Sequence, residues 1–551
     1  MFRKTKTEKQ LSLQSNVAQY ISKSAYKNFS DPTAWHSLFF EQVTNRIDEN
    51  MFSSLYSDKM GAPNSSIKIL ISMMILKEGH GWSDHELFEN CHFNLLVRKS
   101  LGILNLEEQI PSESTYYLFR NRLMEHCKKH NEDLFEKTFK HITKTQILQF
   151  NVSGKSVRMD SKLIGSNIAF FSRYEIIHRA LCLYYKSIES KNLTALSESE
   201  LLQLQEVVKE QSTKTVYRST KEQIKERMQS IGTLIYKVTA LIPETENEDY
   251  KTLKRIFEEQ YKITDHQQIE LRPKEEISAN SVQSPYDTDC SFRNKNGEST
   301  KGYSHNVAET CDKDSLNLIT NVQTKPATAQ DNGFVEPALE NSQEILIDNI
   351  KNLHTDGAYN GTESQEYTKE HGINFYLTGL QGKQGRYDLL FIENDQLQVI
   401  DIVTGETQIA QKVKEDKYKI KVEKANRYFT KKQIESCYKR RQINELPSEI
   451  KDKRNNVEST IFHLAYPLRK DKTKYRGLFK NTIWATLRCL WINLSRIVKY
   501  VTKVCQRTKS NVNFSLLVNW FLIIVISIFK LTCLELIVSR KNNKINLVCF
   551  Y

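Results

Sequence analysis

Apolar residues recur at helical spacing through most of the first 150 residues. In the stretch SSIKILISMMILKEGHGW, Ile67, Leu70, Ile71 and Met74 fall on one face of a helix. Further short helices, separated by turn and capping residues, follow up to the end of this region. The pattern therefore predicts an all-helical N-terminal domain over residues 1–150.

The later helices of this domain are candidates for contact with an anionic partner. The segment PSESTYYLFRNRL opens with a proline and a serine cap and then carries Arg120 and Arg122. Short helices, tight turns and exposed arginines are typical of a helix-turn-helix module that binds DNA. An ordinary helical bundle fits the same pattern equally well. We expect both arginines to be exposed.

After residue 150 the pattern changes to alternating strands and helices. Strand-like runs are predicted at 156–164, 302–308, 316–322, 352–357 and 373–377, with a hairpin over 387–403. Residues 172–271 are helical and highly charged, and residues 431–510 are helical and basic. The pattern predicts a mixed α/β core over residues 151–510.

The positive charge of the chain is concentrated near its C-terminal end. The 551 residues contain 79 Lys and Arg against 66 Asp and Glu, a net charge of +13. Residues 406–510 alone hold 27 Lys and Arg against 10 Asp and Glu, so the rest of the chain is slightly acidic. Such a field favours a polyanion, most simply nucleic acid, before a membrane surface. The candidate phosphate contacts in this block are Lys431, Lys432, Lys439, Arg440, Arg441, Lys474 and Arg476.

Cysteine usage and the two ends of the chain bear on its location. The ten cysteines form no CxxC pair, which argues against a zinc ribbon or a disulfide framework and favours a cytoplasmic protein. The N-terminus has no apolar core of a signal peptide. In the hydrophobic tail 511–551, residues 514–538 are long enough to span a bilayer but contain Asn519, Lys530 and Glu535. A buried helix is favoured there, and membrane association, as in a membrane-anchored regulator, stays an alternative.

Three acidic residues stand out by their context. Asp160 lies in a strand-like run, Asp356 follows a strand in HTDGAYNG, and Glu458 lies near the start of a helix in RNNVESTIF. Acids on strands and on an adjoining helix can converge although they are distant in sequence. Carboxylate oxygens suit Mg²⁺, and two such ions can bind one phosphodiester. A single Asp at a strand end is more often a turn or cap residue.

Several segments, taken in their order along the chain, resemble the DDE transposases of bacterial insertion sequences. These segments are MDS at 159–161, KGYSHNVAET at 301–310, TDGAY at 355–359, NVE at 456–458 and KYRGL at 474–478. Residues 63–123 resemble the helical domain that precedes the catalytic core of these enzymes. The resemblance spans about residues 35–505, and the order of the segments is its most specific part.

This resemblance implies an RNase H-like fold with Asp160 on the first strand, Asp356 after the fourth strand and Glu458 on a later helix. These three acids would be catalytic and would bind two Mg²⁺ (or Mn²⁺) ions. The implied activity is metal-dependent cleavage and strand transfer of DNA. The implied partners are the terminal inverted repeats of the element and target DNA, with a homodimer in the DNA complex and no small-molecule substrate. The implied location is the bacterial cytoplasm, at the nucleoid.

The chain also departs from the family pattern. Arg454, four residues before Glu458, matches an arginine that contacts DNA in relatives, but Lys451 and Ala465 stand where some relatives have Tyr and Lys. The long spacing between the two aspartates makes residues 172–271 a helical insertion, and residues 384–425 match the place of a β insertion. A catalytically decayed transposase that only binds nucleic acid is the alternative function. The rival acids are Asp287 and Asp289, in a Ser/Asn-rich linker, and Asp331.

Overall fold

The structure is a computed structural model that describes residues 1–5, 16–57, 60–188, 196–243, 245–295, 297–380, 382–392, 396–414, 416–422 and 425–510. The apolar stretch 514–538 and the turn of the predicted hairpin, residues 393–395, lie outside these ranges. Within these ranges, no helix combines the length and the apolar character that crossing a bilayer requires.

Helices form the N-terminal region, as the apolar periodicity predicts. The described helices before the first strand are α1 Lys23–Ser30, α2 Trp35–Gln42, α3 Ile67–His80, α4 Asp84–Phe93, α5 Leu95–Ser100, α6 Glu113–His130 and α7 Leu134–Phe150. Side-chain caps set several of their starts. Ser66 caps α3, Ser83 and Glu86 form a capping box on α4, and Ser112 caps α6.

The rest of the described chain combines ten helices with thirteen strands. The helices are α8 Arg173–Ile188, α9 Glu198–Lys209, α10 Ser212–Arg218, α11 Lys221–Leu241, α12 Glu248–Gln260, α13 Val335–Gln343, α14 Thr362–Glu370, α15 Lys431–Glu445, α16 Ser448–Ala465 and α17 Leu478–Ser510. The strands are β1 Ser156–Gly165, β2 Tyr261–Ile263, β3 Ile269–Leu271, β4 Ser291–Lys295, β5 Glu298–Thr310, β6 Ile319–Pro326, β7 Asn352–Thr355, β8 Asn374–Leu377, β9 Tyr387–Ile392, β10 Gln396–Asp401, β11 Thr407–Lys414, β12 Lys417–Val422 and β13 Ala425–Thr430.

A six-stranded mixed sheet forms the centre of the molecule. The strand order is β8-β7-β1-β5, and both β6 and β4 pair with the other edge of β5. Strands β1, β7 and β8 run parallel, whereas β5 is antiparallel to β1, β4 and β6. Each strand-like run predicted for this core overlaps one of its strands.

Helix α17 joins the N-terminal helices to this sheet. It packs against α2, α3 and α7 on one side and against β6 on the other. Trp491 of α17 lies so close to Gly79 of α3 that a Cβ at position 79 would overlap its ring. A single hydrophobic cluster therefore runs from the N-terminal helices through α17 to the sheet. The division into domains at residue 150 stays a prediction.

Two further units extend from the core. Helices α8–α12 and the β2–β3 hairpin surround a hydrophobic core of their own, where residues 172–271 were predicted to be a helical insertion. Strands β9–β13 form a separate antiparallel sheet that α15 covers. The hydrophobic pattern places strands only in the first hairpin of this sheet, β9 and β10. The β insertion predicted at 384–425 includes β11 and β12 but not β13, and the pattern does not resolve these strands because most of their residues are polar and face solvent.

Candidate functional site

Strand register and one helix bring the three predicted acids together. Arg158 of β1 pairs with His354 of the parallel strand β7. Asp160 and Asp356 each follow this pair by two residues and therefore lie side by side. Helix α16 packs against both strands and carries Glu458.

Arg454 lies between the three carboxylates. Its Nη2 atom is 2.9 Å from Oδ2 of Asp160 and 4.0 Å from Oδ2 of Asp356, so these two oxygens are no more than about 7 Å apart. Its Nη1 atom donates a hydrogen bond to Oε1 of Glu458, one helical turn away on α16. The three carboxylates are thus the partners of Arg454 in this structure, and its contact with a DNA phosphate stays a prediction.

The three acids differ in burial. The Asp160 side chain is 13% exposed, and its Oδ1 accepts a 2.8 Å hydrogen bond from the Ser161 N–H. Burial raises the pKa of Asp160 to about 6 although Arg454 opposes this shift. Asp356 is partly exposed and caps the turn that follows β7 by accepting from the Ala358 N–H at 2.8 Å. Glu458 is 63% exposed, so the site opens to solvent on the α16 side.

The donor atoms of this site suit a hard divalent cation, because all of them are carboxylate oxygens. In the described part of the chain, however, no three His, Cys, Asp or Glu side chains are grouped closely enough to hold a metal ion. The positive charge among the acids is that of Arg454, whose Nε atom is buried and has no hydrogen-bond partner among those residues. Metal binding by these acids therefore stays a prediction.

A second, closed ionic cluster lies beside the acids and was not predicted from the sequence. Glu309 of β5 is fully buried, and it accepts hydrogen bonds from Arg158 Nε and Arg496 Nη2 at 2.6 Å each and from Thr460 Oγ1 at 2.7 Å. Burial alone would raise the pKa of Glu309, but the two arginines outweigh it and lower this pKa. Arg158 also donates to the Lys453 carbonyl at 2.7 Å.

This cluster fixes the helix that carries Arg454 and Glu458. Thr460 and the Lys453 carbonyl belong to α16, whereas Arg158 lies on β1 two residues before Asp160. The alternation of side chains along a strand puts Arg158 and Asp160 on the same face of the sheet. That spacing is the one sequence signal that could have indicated the cluster.

Two of the rival acids have structural roles. Asp287 is buried and accepts hydrogen bonds from Tyr303 Oη at 2.5 Å and from the Gly477 N–H at 2.9 Å. Asp289 accepts from the Leu478 N–H, the first residue of α17, at 3.2 Å. Both acids thus connect the start of α17 to the segment before β4 through hydrogen bonds. The interpretation of that segment as a linker was wrong, because Asp287 and its neighbour Ser284 are buried in the core.

The third rival, Asp331, lies close to the predicted site. It is 5% exposed, accepts a 2.7 Å hydrogen bond from Ser161 Oγ and lies 4.0 Å from Arg293 Nη2. Ser161 directly follows Asp160 in β1. Since side chains alternate along a strand, Ser161 and Asp331 lie on the face of β1 opposite to Asp160.

The expectation that Arg120 and Arg122 are exposed was wrong. Both are partly buried, because aromatic rings cover their guanidinium groups. Arg120 lies 5.6 Å from the ring centre of Tyr116 and 6.0 Å from that of Tyr475 in the segment before α17. Arg122 lies 4.9 Å from the ring centre of Tyr56. DNA contact by these arginines stays a prediction.

The predicted phosphate contacts of the basic block fall into two groups. Lys431 and Lys432 are exposed at the start of α15, and Lys439 of the same helix is partly exposed. The other four make contacts within the protein. Arg440 donates to the Gly382 carbonyl at 2.9 Å, Arg441 pairs with Asp388 at 2.7 Å, Lys474 donates to the Gly81 carbonyl at 3.2 Å, and Arg476 donates to the Asn167 carbonyl at 2.7 Å.

Comparison with known families supports a transposase. Residues 28–122, from the end of α1 into α6, match the family model described as Transposase domain (DUF772). No curated protein and no solved structure matches the chain. The matched residues belong to the N-terminal helices and include Arg120 and Arg122, but none of the three predicted acids.

Proposed function

We propose that this protein is a DNA transposase that cuts the ends of an insertion sequence and joins them to target DNA. The observation that carries the proposal is the meeting of Asp160, Asp356 and Glu458 around one cationic group. The transposase-domain match at residues 28–122 supports it independently, because it lies in another part of the chain.

The topology of the central sheet supports an RNase H-like core. Counted along the chain without the β4 edge strand, β1, β5, β6, β7 and β8 are the first to fifth strands, and their spatial order is 3-2-1-4-5. Only the second strand is antiparallel to its neighbours. Asp160 lies on the first strand and Asp356 directly after the fourth, which are the positions that the family resemblance implies.

In this proposal the three acids would hold two Mg²⁺ or Mn²⁺ ions, which neutralise the developing charge on the phosphate and lower the pKa of the attacking water. In the first reaction a water oxygen attacks phosphorus, and the 3′ oxygen of the element's end leaves. In the second reaction this 3′ hydroxyl attacks a target phosphodiester, whose own 3′ oxygen leaves. No covalent bond to the protein forms in either reaction.

The residues around the acids would position the reacting groups. The Glu309 cluster holds α16 against β1, so Glu458 stays near Asp160. Arg454 is placed to exchange the carboxylates for a phosphate oxygen of DNA, since a guanidinium binds both kinds of oxygen with charge-assisted hydrogen bonds. Exposed Lys431 and Lys432 would contribute sequence-independent contacts to the DNA backbone.

The alternative is a decayed transposase that binds nucleic acid without cutting it. Two observations favour it, namely the guanidinium of Arg454 among the acids and the Lys451 and Ala465 departures from the family pattern. Both functions require DNA binding. Only the active transposase requires the three carboxylates to be ionised and free to bind metal. Substitution of the acids therefore separates them.

The test uses the full chain and a plasmid that carries the DNA flanking its gene, with Mg²⁺ or Mn²⁺ present. We expect Asp160→Asn and Glu458→Gln to abolish strand cleavage and to change DNA affinity less than about threefold, because ligand charge is lost and the basic surface is kept. Asp452→Asn is the matched control, since Asp452 is an exposed acid of the same helix. Binding without any cleavage by the wild-type chain would favour the decayed protein. Parallel loss of binding and cleavage would give the acids a structural role.

A further inference from the structure

A groove of about 850 Å³ runs along the second half of β1, the strand that carries Asp160. One wall is the second half of β1, from Ser161, the residue after Asp160, to Gly165. The other walls are the β4–β5 hairpin and the loop that contains Lys470 and Asp471. None of the three acids lines the groove, which begins at the residue after Asp160 and continues along the strand that carries it.

The lining of this groove is predominantly cationic. Three acids, Glu298, Asp331 and Asp471, face six basic residues, which are Lys162, Arg293, Lys295, Lys301, Lys470 and Lys472. Some of these cations already have partners, as Lys162 pairs with Asp471 at 3.1 Å. Lys295 and Lys470 are exposed and form no ion pair with any residue that the structure describes. The groove thus has positive charge available for an anionic ligand.

An exposed aromatic ring lies in the same groove. Phe170 is 63% exposed although its neighbour Phe171 packs against the core of helices α8–α12. The Nζ atom of Lys301 lies 5.2 Å from the centre of the Phe170 ring. A cationic groove that contains an exposed aromatic ring is typical of sites for single-stranded nucleic acid, where phosphates contact the cations and a base stacks on the ring.

We propose that this groove holds the unpaired end of a DNA strand, with a base stacked on Phe170 and phosphates on Lys295 and Lys470. The proposal rests on the proposed function for its choice of DNA as the ligand. Ser161 to Gly165 spans about 13 Å of strand, which matches about four stacked nucleotides at about 3.4 Å each. The interior of a paired duplex does not fit these contacts, because its bases are stacked on both sides and leave no free face for Phe170.

The test compares two DNA probes on the full chain in EDTA, where no cleavage occurs. One probe is a blunt duplex, and the other is the same duplex with a five-nucleotide 3′ tail that contains 2-aminopurine. We expect Phe170→Ala to weaken binding of the tailed probe about 5- to 100-fold and to remove the quenching of 2-aminopurine, with little change for the blunt probe. Phe170→Tyr should retain both properties, because it keeps an aromatic face.

The salt dependence of binding tests the two lysines. A matched control tests whether the loss of binding is specific to Phe170. A Lys295→Gln, Lys470→Gln double variant should lower the slope of log affinity against log salt for the tailed probe by about 1.4, from two lost phosphate contacts to a single strand. Tyr217→Ala removes an exposed aromatic ring from α10 of the separate helical unit and should change neither probe.

Two results would overturn the inference alone. The first is an unchanged affinity of Phe170→Ala for the tailed probe. The second is an equal loss of affinity for the tailed and blunt probes, which would make the groove a general surface for duplex DNA. If the wild-type chain cuts DNA in Mg²⁺ while either result holds, the proposed function stands without the groove. A wild-type chain that binds neither probe would overturn both.

Discussion

Two ionic clusters lie side by side on the same face of β1, and they differ in burial and in charge balance. In the closed cluster, fully buried Glu309 meets two arginines, Arg158 and Arg496. In the open cluster, Arg454 alone meets three carboxylates, of which Glu458 is 63% exposed. With all groups ionised, the closed cluster carries one excess positive charge and the open cluster two excess negative charges.

This difference separates a structural role from a ligand-binding one. In the closed cluster the Glu309 carboxylate is paired with two guanidinium groups, and hydrogen bonds to the protein occupy all three groups. The open cluster has an excess of negative charge and faces solvent. Under the proposed function, a divalent cation would add to it or replace its guanidinium, while the closed cluster would hold α16 in place.

The largest expected effect is on stability, from removal of the central carboxylate of the closed cluster. Glu309→Ala leaves the buried guanidinium of Arg158 and the partly buried guanidinium of Arg496 without their partner, and we expect the free energy of unfolding to fall by about 3–5 kcal/mol. Glu458→Ala removes a mostly exposed partner of Arg454 and should cost less than about 1 kcal/mol. Urea unfolding of both variants and the wild type measures the two effects.

Thr460→Val serves as the matched control for packing in the closed cluster. It keeps the side-chain shape and removes one hydrogen bond to Glu309, so it should cost about 1–3 kcal/mol. Equal losses of stability in Glu309→Ala and Glu458→Ala would contradict the division into a closed and an open cluster.

The sequence predicts the open cluster better than the closed one for a physical reason. Asp160, Asp356 and Glu458 lie in short motifs with local signals, namely a strand, a strand end and a helix. The placement of Glu458 near the helix start was wrong, because α16 begins at Ser448 and Glu458 lies in its second half. The partners of Glu309 lie 151 and 187 residues away. Nothing local to Glu309 distinguishes it from a solvent-facing acid on a polar strand.

Side-chain burial was also poorly predicted from the sequence elsewhere in the chain. Helical spacing correctly predicts α6, but it does not reveal that Tyr475, more than 350 residues later, covers Arg120. The individual polar strands β11–β13 were not located from the sequence because few of their side chains, such as Tyr418 and Phe429, are buried. Strand order in the central sheet required pairings between distant segments that no single window of sequence contains.

The second prediction is that the two clusters respond oppositely to pH. Glu309 has its pKa lowered from 4.5, so its stabilising contribution is complete above about pH 4.5 and is lost as pH falls through its folded-state pKa. Asp160 has its pKa raised from 3.8 to about 6, so its contribution is complete below pH 3.8 and is lost as pH rises through 6.

Urea unfolding between pH 3 and pH 7 in EDTA tests this prediction. The stability deficit of Glu309→Gln relative to wild type should shrink as the pH falls from 4.5 to 3. Asp160→Asn should gain on wild type between pH 4 and pH 7, by up to about 3 kcal/mol for a two-unit shift. If the stability difference from wild type changed with pH in the same direction for both variants, the raised pKa of Asp160 would be contradicted.

The smallest expected effect concerns the cation of the open cluster. If Arg454 occupies the place of a metal ion, Arg454→Gln leaves three carboxylates without a positive charge and removes the competitor for Mg²⁺. We expect the affinity for Mg²⁺ to rise about tenfold, which adds about 1.4 kcal/mol of stabilisation at saturating MgCl₂ relative to wild type. Unfolding free energies at increasing MgCl₂ concentration measure this gain without any requirement for catalysis.

The control for this last experiment is Arg441→Gln, which removes an arginine that pairs with Asp388 in the smaller sheet, away from the three acids. Its response to MgCl₂ should equal that of wild type, because no converging carboxylates are uncovered. A response of Arg454→Gln no larger than that of Arg441→Gln would mean that the three acids do not bind metal even when the guanidinium is gone. The open cluster would then be a second structural ion pair, and the decayed transposase would become the better explanation of the fold.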